Sequence, residues 1–261
     1  MNFNKKIAAF DLDGTLAESK MTLTPEMAKL LRSLALVSKV TVISGAGFSQ
    51  FKIQFLSTWE DCDASEIERV NQNLILLPAN GSRQYEYDVN LKKWVVTFEE
   101  LFNPEVKVKV VKALQEIIDS GLYDFASLEE RVGELIEDRD TQISLSALGQ
   151  QAPIERKKVW DPDQKKRQKI KLDFDERLKG FNVISTIGGT TTIDILPGDF
   201  NKAKGLQRLL KKLNLDMADM IFVGDSIFPG GNDYSPFEAG IESVKVSGPE
   251  ETFSVIKNWL D

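Results

Sequence analysis

Asp11 and Asp13 close an apolar run, Ile7-Ala8-Ala9-Phe10, and Gly14 and Thr15 follow at once. A run of that length and content has the character of a short buried strand. Side chains alternate along a strand, so two acids two positions apart share one face of it while the backbone stays extended. Gly14 permits a tight turn and a close approach of backbone to a ligand. In such a pair one carboxylate can act as nucleophile while its neighbour moves protons, and both can help hold a divalent cation. Asp-Gly by itself is most often only a turn. At roughly 5–7% abundance per residue type, the whole D-x-D-G-T string arises by chance about once in 10⁵ windows. It is therefore read as chemistry.

Composition narrows that chemistry. The 261 residues include no histidine, which removes Ser-His-Asp and Cys-His catalysis and every histidine-based metal site. Any general acid or base must be Asp, Glu, Lys, Tyr or Cys. Any metal should be a hard, oxygen-liganded ion, with Mg²⁺ the natural candidate. Cys62 is the single cysteine, so an intrachain disulfide and a thiolate cluster are excluded. Asp61 and Asp63 flank it and disfavour a thiolate; it is read as incidental. A net charge of −7 argues against nucleic acid as a partner. No stretch approaches the ~20 apolar residues that a bilayer span needs. The segment from Met1 to Lys6 is too short, and too soon followed by acids, for a signal peptide. A cytoplasmic setting is expected.

The acids need elements to carry them. Thr24 is a candidate N-cap, with Pro25 at the first helical position, and Leu30, Leu31, Leu34 and Ala35 supply an apolar helical face. Apolar runs at 39–45 and 74–78 read as further strands, the first ending in Ser44 and Gly45, the second leading into Ala79-Asn80-Gly81. Strand–helix–strand alternation predicts a doubly wound parallel sheet of Rossmann-like α/β type. Residues 83–197 read differently, as an antiparallel α+β insert. Exposed-looking strands at 84–87 and 94–98 and a helix at 104–118 come first. An alternating run at 141–146, a basic helix at 162–178 and two strand runs at 182–187 and 190–196 follow. The run Lys165-Lys166-Arg167 is taken as a solvated helix face. From Lys202 the parallel pattern resumes, with a strand at 220–225 that ends in Asp225. The expected plan is a discontinuous core, 1–82 and 198–261, carrying an inserted α+β cap of antiparallel sheet plus helices over 83–197.

In a parallel sheet the strand ends converge on one edge. That edge would gather Asp11 with Asp13, Ser44, the region around Lys202, and Asp225 with Asp233. Phosphoryl transfer needs a nucleophile, charge neutralisation and positioning. Asp11 would attack phosphorus, a hydroxyl and an ammonium would hold phosphate oxygens, and a cation would bridge carboxylates and phosphoryl group.

These motifs, in this order, resemble the haloacid dehalogenase superfamily, whose members work through an aspartyl phosphate and Mg²⁺. The resemblance implies that Asp11 is the nucleophile and Asp13 the general acid/base. It implies that Ser44, Gly45 and Lys202 hold phosphate, and that Asp11, Asp13, Asp225 and Asp233 form the metal set. The run from Gly224 to Asp233, with Pro229-Gly230-Gly231-Asn232-Asp233, resembles the eukaryotic-type phosphomannomutase signature. The run from Gly188 to Pro197 resembles that family's substrate-contacting cap strand, with Thr192 where the family has Ser and Asp194 matching its Asp. Ala79-Asn80-Gly81 resembles the start of its cap.

The family's cap grips a distal phosphate with several arginines. Arg139 matches one of them. Eleven residues on, this chain has Gln150; a third falls near Arg156 or Lys157, and Lys20 stands where the core supplies another. Gln cannot reproduce arginine's bidentate fork and Lys replaces it only in part. Each lost charge-assisted contact weakens binding by about 1.5–3 kcal/mol. The implied activity is Mg²⁺-dependent phosphoryl transfer on a hexose phosphate, of the phosphomannomutase or phosphoglucomutase kind. A sugar-phosphate phosphatase on the same scaffold is the alternative, and a non-catalytic phosphosugar sensor the rival from another class. A hexose 1,6-bisphosphate activator, a homodimer and a cap that closes over the core are further expectations.

Overall fold

The computed structural model describes residues 3–59 and 63–261. Cys62 lies outside the described residues, as do Met1 and Asn2. In chain order the elements begin β1 (Ile7–Asp11), α1 (Pro25–Ala35), β2 (Lys39–Ile43), α2 (Phe48–Gln54), α3 (Ala64–Asn73), β3 (Leu74–Leu77), β4 (Arg83–Asp88) and β5 (Lys93–Glu99). They continue α4 (Pro104–Asp119), β6 (Ile136–Asp138), β7 (Ile143–Ser146), α5 (Ile154–Trp160), α6 (Lys165–Arg177), β8 (Val183–Gly188) and β9 (Thr192–Pro197). The last are α7 (Lys202–Leu213), β10 (Met220–Gly224), α8 (Tyr234–Glu238), β11 (Glu242–Lys245) and α9 (Pro249–Leu260). The chain divides into two compact units, Met1–Glu99 with Asn201–Asp261, and Glu100–Phe200.

The first unit is built on a seven-stranded sheet in the order β11-β10-β1-β2-β3-β4-β5. The five strands from β11 to β3 run parallel. β1 is buried on both faces, which is why it reads as an unbroken apolar run and not as an alternation. Ala8 and Phe10 pack into one cluster with Leu31, Leu34, Val40, Val42 and Phe51. Ile7 and Ala9 pack into another, with Leu206, Leu209 and Phe222. The helices therefore cover both faces, as the doubly wound expectation required. Thr24 caps α1 by accepting from Met27 N–H, with Pro25 in the first turn.

One expectation is corrected. The strands at 84–87 and 94–98 belong to this sheet: β4 pairs antiparallel with β3 through Ile75–Glu86 and Leu76–Tyr85, and β5 pairs with β4. The cause is the turn between β3 and β4, where Ala79, Asn80 and Gly81 all have positive φ. A return that short can only produce an antiparallel neighbour. Tyr85 then stacks on Phe48 with ring centroids 3.7 Å apart. The half-exposed pattern that suggested a separate insert is that of a sheet edge. The division falls at 99/100 and 200/201 instead of 82/83 and 197/198.

The second unit has a four-stranded antiparallel sheet in the order β6-β7-β9-β8. Ile143 and Leu145 of β7 and Ile193 and Ile195 of β9 pack with Val110, Leu114 and Ile117 of α4 and Ile170 and Phe174 of α6. The intervening Ser144, Ser146, Thr192 and Asp194 point to the other face. The basic segment is also corrected, because α5 ends at Trp160 and α6 starts only at Lys165. Arg167 is 3% exposed and so is no part of a solvated face. Among the described residues, no helix is long and apolar enough to cross a membrane.

Candidate active site

In the first unit, β1 and β10 are adjacent and in parallel register, Phe10 opposite Val223. Their C-terminal ends therefore deliver Asp11 and Asp225 side by side. Past Asp11 the backbone turns tightly, with Gly14 N–H donating to Ala17 O at 2.7 Å. Gly14 sits at φ +85°, and a Cβ there would stand 2.7 Å from Asp225 Oδ2. Both the turn and the closeness of the acid require glycine. Thr15 Oγ1 donates to Asp11 Oδ2 (3.4 Å) and accepts from the Asp225 N–H (3.0 Å), which ties the two strand ends together.

Lys202, the first residue of α7, reaches into this edge. Its ammonium donates to Asp11 Oδ1 at 2.5 Å and to Asp233 Oδ1 at 2.7 Å, and it is 1% exposed. Asp233 Oδ2 accepts from Ser226 N–H at 3.1 Å. Ser44 follows β2 beside Asp11, since Asp11 and Ile43 are register partners. Ser44 Oγ accepts from the Ala46 N–H at 3.1 Å, across Gly45. Asp13 Oδ1 accepts from the Lys20 backbone N–H (2.7 Å) and from Gln54 Nε2 (3.0 Å). One carboxylate oxygen each from Asp11, Asp225 and Asp233 lies within 4.8 Å of the other two. The Asp13 side chain is not one of these three; its Oδ1 is held by Gln54 and the Lys20 N–H.

In the second unit, Asp194 is opposite Ser144 and Thr186, and Thr192 is opposite Ser146 and Gly188. Asp194 Oδ1 accepts from Ser144 Oγ at 2.7 Å. Gln150 Nε2 donates to Ser144 O (3.1 Å), and Lys157 Nζ donates to Gln150 O (2.8 Å). Arg139 Nη2 donates to Glu137 Oε2 (2.5 Å), and Glu137 is the register partner of Ser144. Asp194 and Gln150 thus both meet Ser144, a residue that the sequence did not suggest, while Thr192 lies opposite Ser146.

A family model described as eukaryotic phosphomannomutase matches residues 27–261. The chain belongs to the eukaryotic phosphomannomutase family. The matched span starts after Asp13, so membership does not rest on the D-x-D-G-T string. A phosphomannomutase of Encephalitozoon cuniculi is 26% identical over 98% of this chain and 94% of its own length. That of Spinacia oleracea is 28% identical over 94% and 92%. A haloacid dehalogenase-like hydrolase from Bacteroides thetaiotaomicron shares the fold, with a TM-score of 0.61 at 14% identity over 98% of this chain and 99% of that one. The chain is an enzyme of the phosphomannomutase family and has the fold of that hydrolase.

For a phosphomannomutase-family chain the charge balance of the strand edge is informative. Burial pushes the Asp11 carboxyl well above the ordinary value, Lys202 opposes this, and Asp233 and Asp225 add to it. Burial, and then Asp233, push Asp225 up to about 6. Burial works against the Lys202 ammonium, but Asp11 and Asp233 outweigh it and raise its pKa. Three acids thus face one ammonium, an excess of negative charge that costs stability until something positive arrives. The donor set is all carboxylate oxygen, which suits a hard divalent cation. Thr15 was legible only as part of the motif string. Gln54 had no signal at all, because a buried amide three residues after Phe51 reads as an ordinary helix position.

Proposed function

We propose that this chain carries out Mg²⁺-dependent phosphoryl transfer on a hexose phosphate, of the phosphomannomutase or phosphoglucomutase kind. The observation that carries the reading is the cluster of Asp11, Asp225 and Asp233 around the Lys202 ammonium, with Asp13 two residues from Asp11, in a chain of this family. A carboxylate oxygen of Asp11 attacks phosphorus, and the bond from phosphorus to the sugar oxygen breaks. Asp13 gives that oxygen its proton. In the second half Asp13 takes a proton from the accepting hydroxyl, whose oxygen attacks the aspartyl phosphate and releases Asp11. Lys202 and Ser44 neutralise and orient phosphoryl oxygens, the positioning on which this chemistry depends. A divalent cation held by Asp11, Asp225 and Asp233 would screen the repulsion between an anionic nucleophile and an anionic substrate.

Residues 100–200 would supply sugar and distal-phosphate contacts through Arg139, Gln150, Lys157, Thr192 and Asp194, and residue 20 a further one through Lys20. This assignment rests on the family resemblance. A hexose 1,6-bisphosphate activator follows from a mutase cycle. A homodimer would cover some of the exposed apolar side chains of the second unit, such as Val108 and Leu172. The acidic charge and the lack of histidine are compatible with a cytoplasmic Mg²⁺ enzyme.

Hydrolysis is the second reading, because Gln150 brings no charge to hold a bisphosphate. Water in place of the sugar hydroxyl runs the same steps. Phosphorus NMR with Mg²⁺, α-mannose 1-phosphate and a trace of glucose 1,6-bisphosphate separates the two. A growing hexose 6-phosphate signal supports the mutase; inorganic phosphate alone means a phosphatase. The absence of both signals would sink the hexose reading. A sensor has no use for an acid/base at Asp13, and unchanged turnover in Asp11→Asn would end the aspartyl-phosphate mechanism.

A further inference from the structure

Among the described residues, Asp13 is held from one side only. Both donors that reach it, Gln54 Nε2 at 3.0 Å and the Lys20 N–H at 2.7 Å, are on Oδ1. Gln54 is the last residue of α2, is fully buried, and splits its two amide hydrogens between Asp13 Oδ1 and Met21 O, each at 3.0 Å. Both of those partners are acceptors, so the amide orientation is fixed: the nitrogen must face them. The consequence lies at the other end of the amide. Among the described residues, Gln54 Oε1 is buried with no hydrogen-bond partner. An apolar residue of the same length would fill this space without leaving a buried acceptor unmatched. The amide is therefore best explained by what its hydrogens do.

We propose that Gln54 is a positioning residue for proton transfer, fixing the Asp13 carboxylate so that Oδ2 carries the proton. With two donors on Oδ1, the lone pairs of that oxygen are occupied. Oδ2 is then the oxygen that gives the proton to the departing sugar oxygen and takes one from the acceptor. No further reactant enters: the proton leaves Asp13 as the phosphorus–oxygen bond breaks and returns from the acceptor hydroxyl. The inference rests on the phosphoryl-transfer reading above. A purely structural role competes with it, because Gln54 also closes α2 against the segment after Asp13. Its amide holds Met21 O, and its own carbonyl accepts from Leu23 N–H at 3.0 Å.

The two roles respond differently to the leaving group. A sugar alkoxide needs the proton of Asp13 in order to depart; 4-nitrophenolate does not. The experiment compares wild type, Gln54→Met and Gln54→Glu with Mg²⁺, measuring turnover of α-mannose 1-phosphate and the burst of 4-nitrophenolate from 4-nitrophenyl phosphate. Met keeps the length and the backbone bond to Leu23 and loses the donors. Glu is isosteric and sets a carboxylate against Asp13, so it serves if the Met variant does not fold. The expected result is a fall of about 10- to 100-fold in the ratio of sugar-phosphate kcat to burst rate, with KM for the sugar phosphate within about twofold of wild type. An unchanged ratio, whether both rates fall together or neither falls, would overturn the positioning role. A wild-type chain that gives the burst and leaves the sugar phosphate untouched would overturn the hexose reading. Gln54 would then be judged by the same ratio on phenyl phosphate, whose leaving oxygen has more need of the proton.

Discussion

The Lys202 ammonium stands 2.5 Å from Asp11 Oδ1, at the junction of α7 with the end of β1, and both side chains are buried. Their positions in the chain are 191 residues apart, so only the completed sheet brings them together. Lys202→Met would leave Asp11 and Asp233 facing each other without a counter-charge. Removing one partner of a buried pair costs about 3–5 kcal/mol, and that loss is expected in urea unfolding at pH 7.5. Adding Mg²⁺ should recover part of it, by returning positive charge to the acids. An unfolding midpoint equal to wild type would contradict the account.

Asp225, pushed up to about 6 by burial and Asp233, gives a pH dependence with a definite sign. Its folded value lies above the ordinary 3.8, so the fold holds this proton more tightly than the unfolded chain. That contribution to stability is complete below about pH 4 and is lost as pH rises through about 6. Asp11 shifts in the same direction. A bound cation needs the ionised form, so its stabilisation should grow across the same interval. The rise in Tm on adding Mg²⁺ is expected to be larger at pH 7.5 than at pH 5, and Asp225→Asn should flatten the difference. An equal rise at both values would remove Asp225 from the cation set.

Gly224 ends β10 in ordinary extended backbone, and its lack of a side chain matters for a different reason. A Cβ there would lie 2.6 Å from Asp233 Oδ2 and 2.7 Å from its Cγ. Asp233 cannot yield easily, because Lys202 and the Ser226 N–H hold its two oxygens. Gly224→Ala should therefore keep the secondary structure but displace the carboxylate. Loss of the Mg²⁺-dependent rise in Tm and about a 100-fold fall in turnover are expected, the scale on which misplacement by an ångström acts. Retained cation stabilisation would mean that Asp233 is not where cation binding depends on it.

The parts of this site that could be read in the sequence are those where chemistry and strand pattern coincide. Asp11, Ser44 and Asp225 each end an apolar run, and a strand buried on both faces announces itself as such a run. The site acids follow from where those runs stop. Gln54, by contrast, sits in a short helix whose only visible logic is its buried Phe51; its partner is 41 residues away. Nothing local distinguishes it. Strands β4 and β5, of which only β5 lies at the sheet edge, read in the sequence as strands of the insert. Half-exposed alternation describes a sheet edge and a separate small sheet equally well, and the deciding feature was the left-handed turn at 79–81.

The burial of Arg167 escapes the sequence for a related reason. In a run of three basic residues, only the helix start fixes which one points inward. That start is set by Gln164 in left-handed conformation, with φ 62°. Arg167 Nε donates to Asp161 Oδ2 at 2.8 Å, and Nη1 donates to Gly188 O and Gly189 O at 3.0 and 2.6 Å. The pair thus anchors the β8–β9 turn just before Thr192 and Asp194. Burial opposes ionisation of Asp161, but bonds from the Arg167 side chain and from the Lys166 and Arg167 N–H groups outweigh it and hold its carboxyl below the ordinary 3.8. Its stabilisation is therefore complete above about pH 4 and is lost as pH falls through the lower folded value. Arg167→Met should destabilise the second unit by about 3–5 kcal/mol near neutrality. Hydrogen exchange of the β8 and β9 amides reads this directly. Between pH 4 and pH 2 the wild type should lose protection more steeply than Asp161→Asn, which has no proton to take up. Parallel acid profiles for the two would mean that the charge of this pair does not hold the turn.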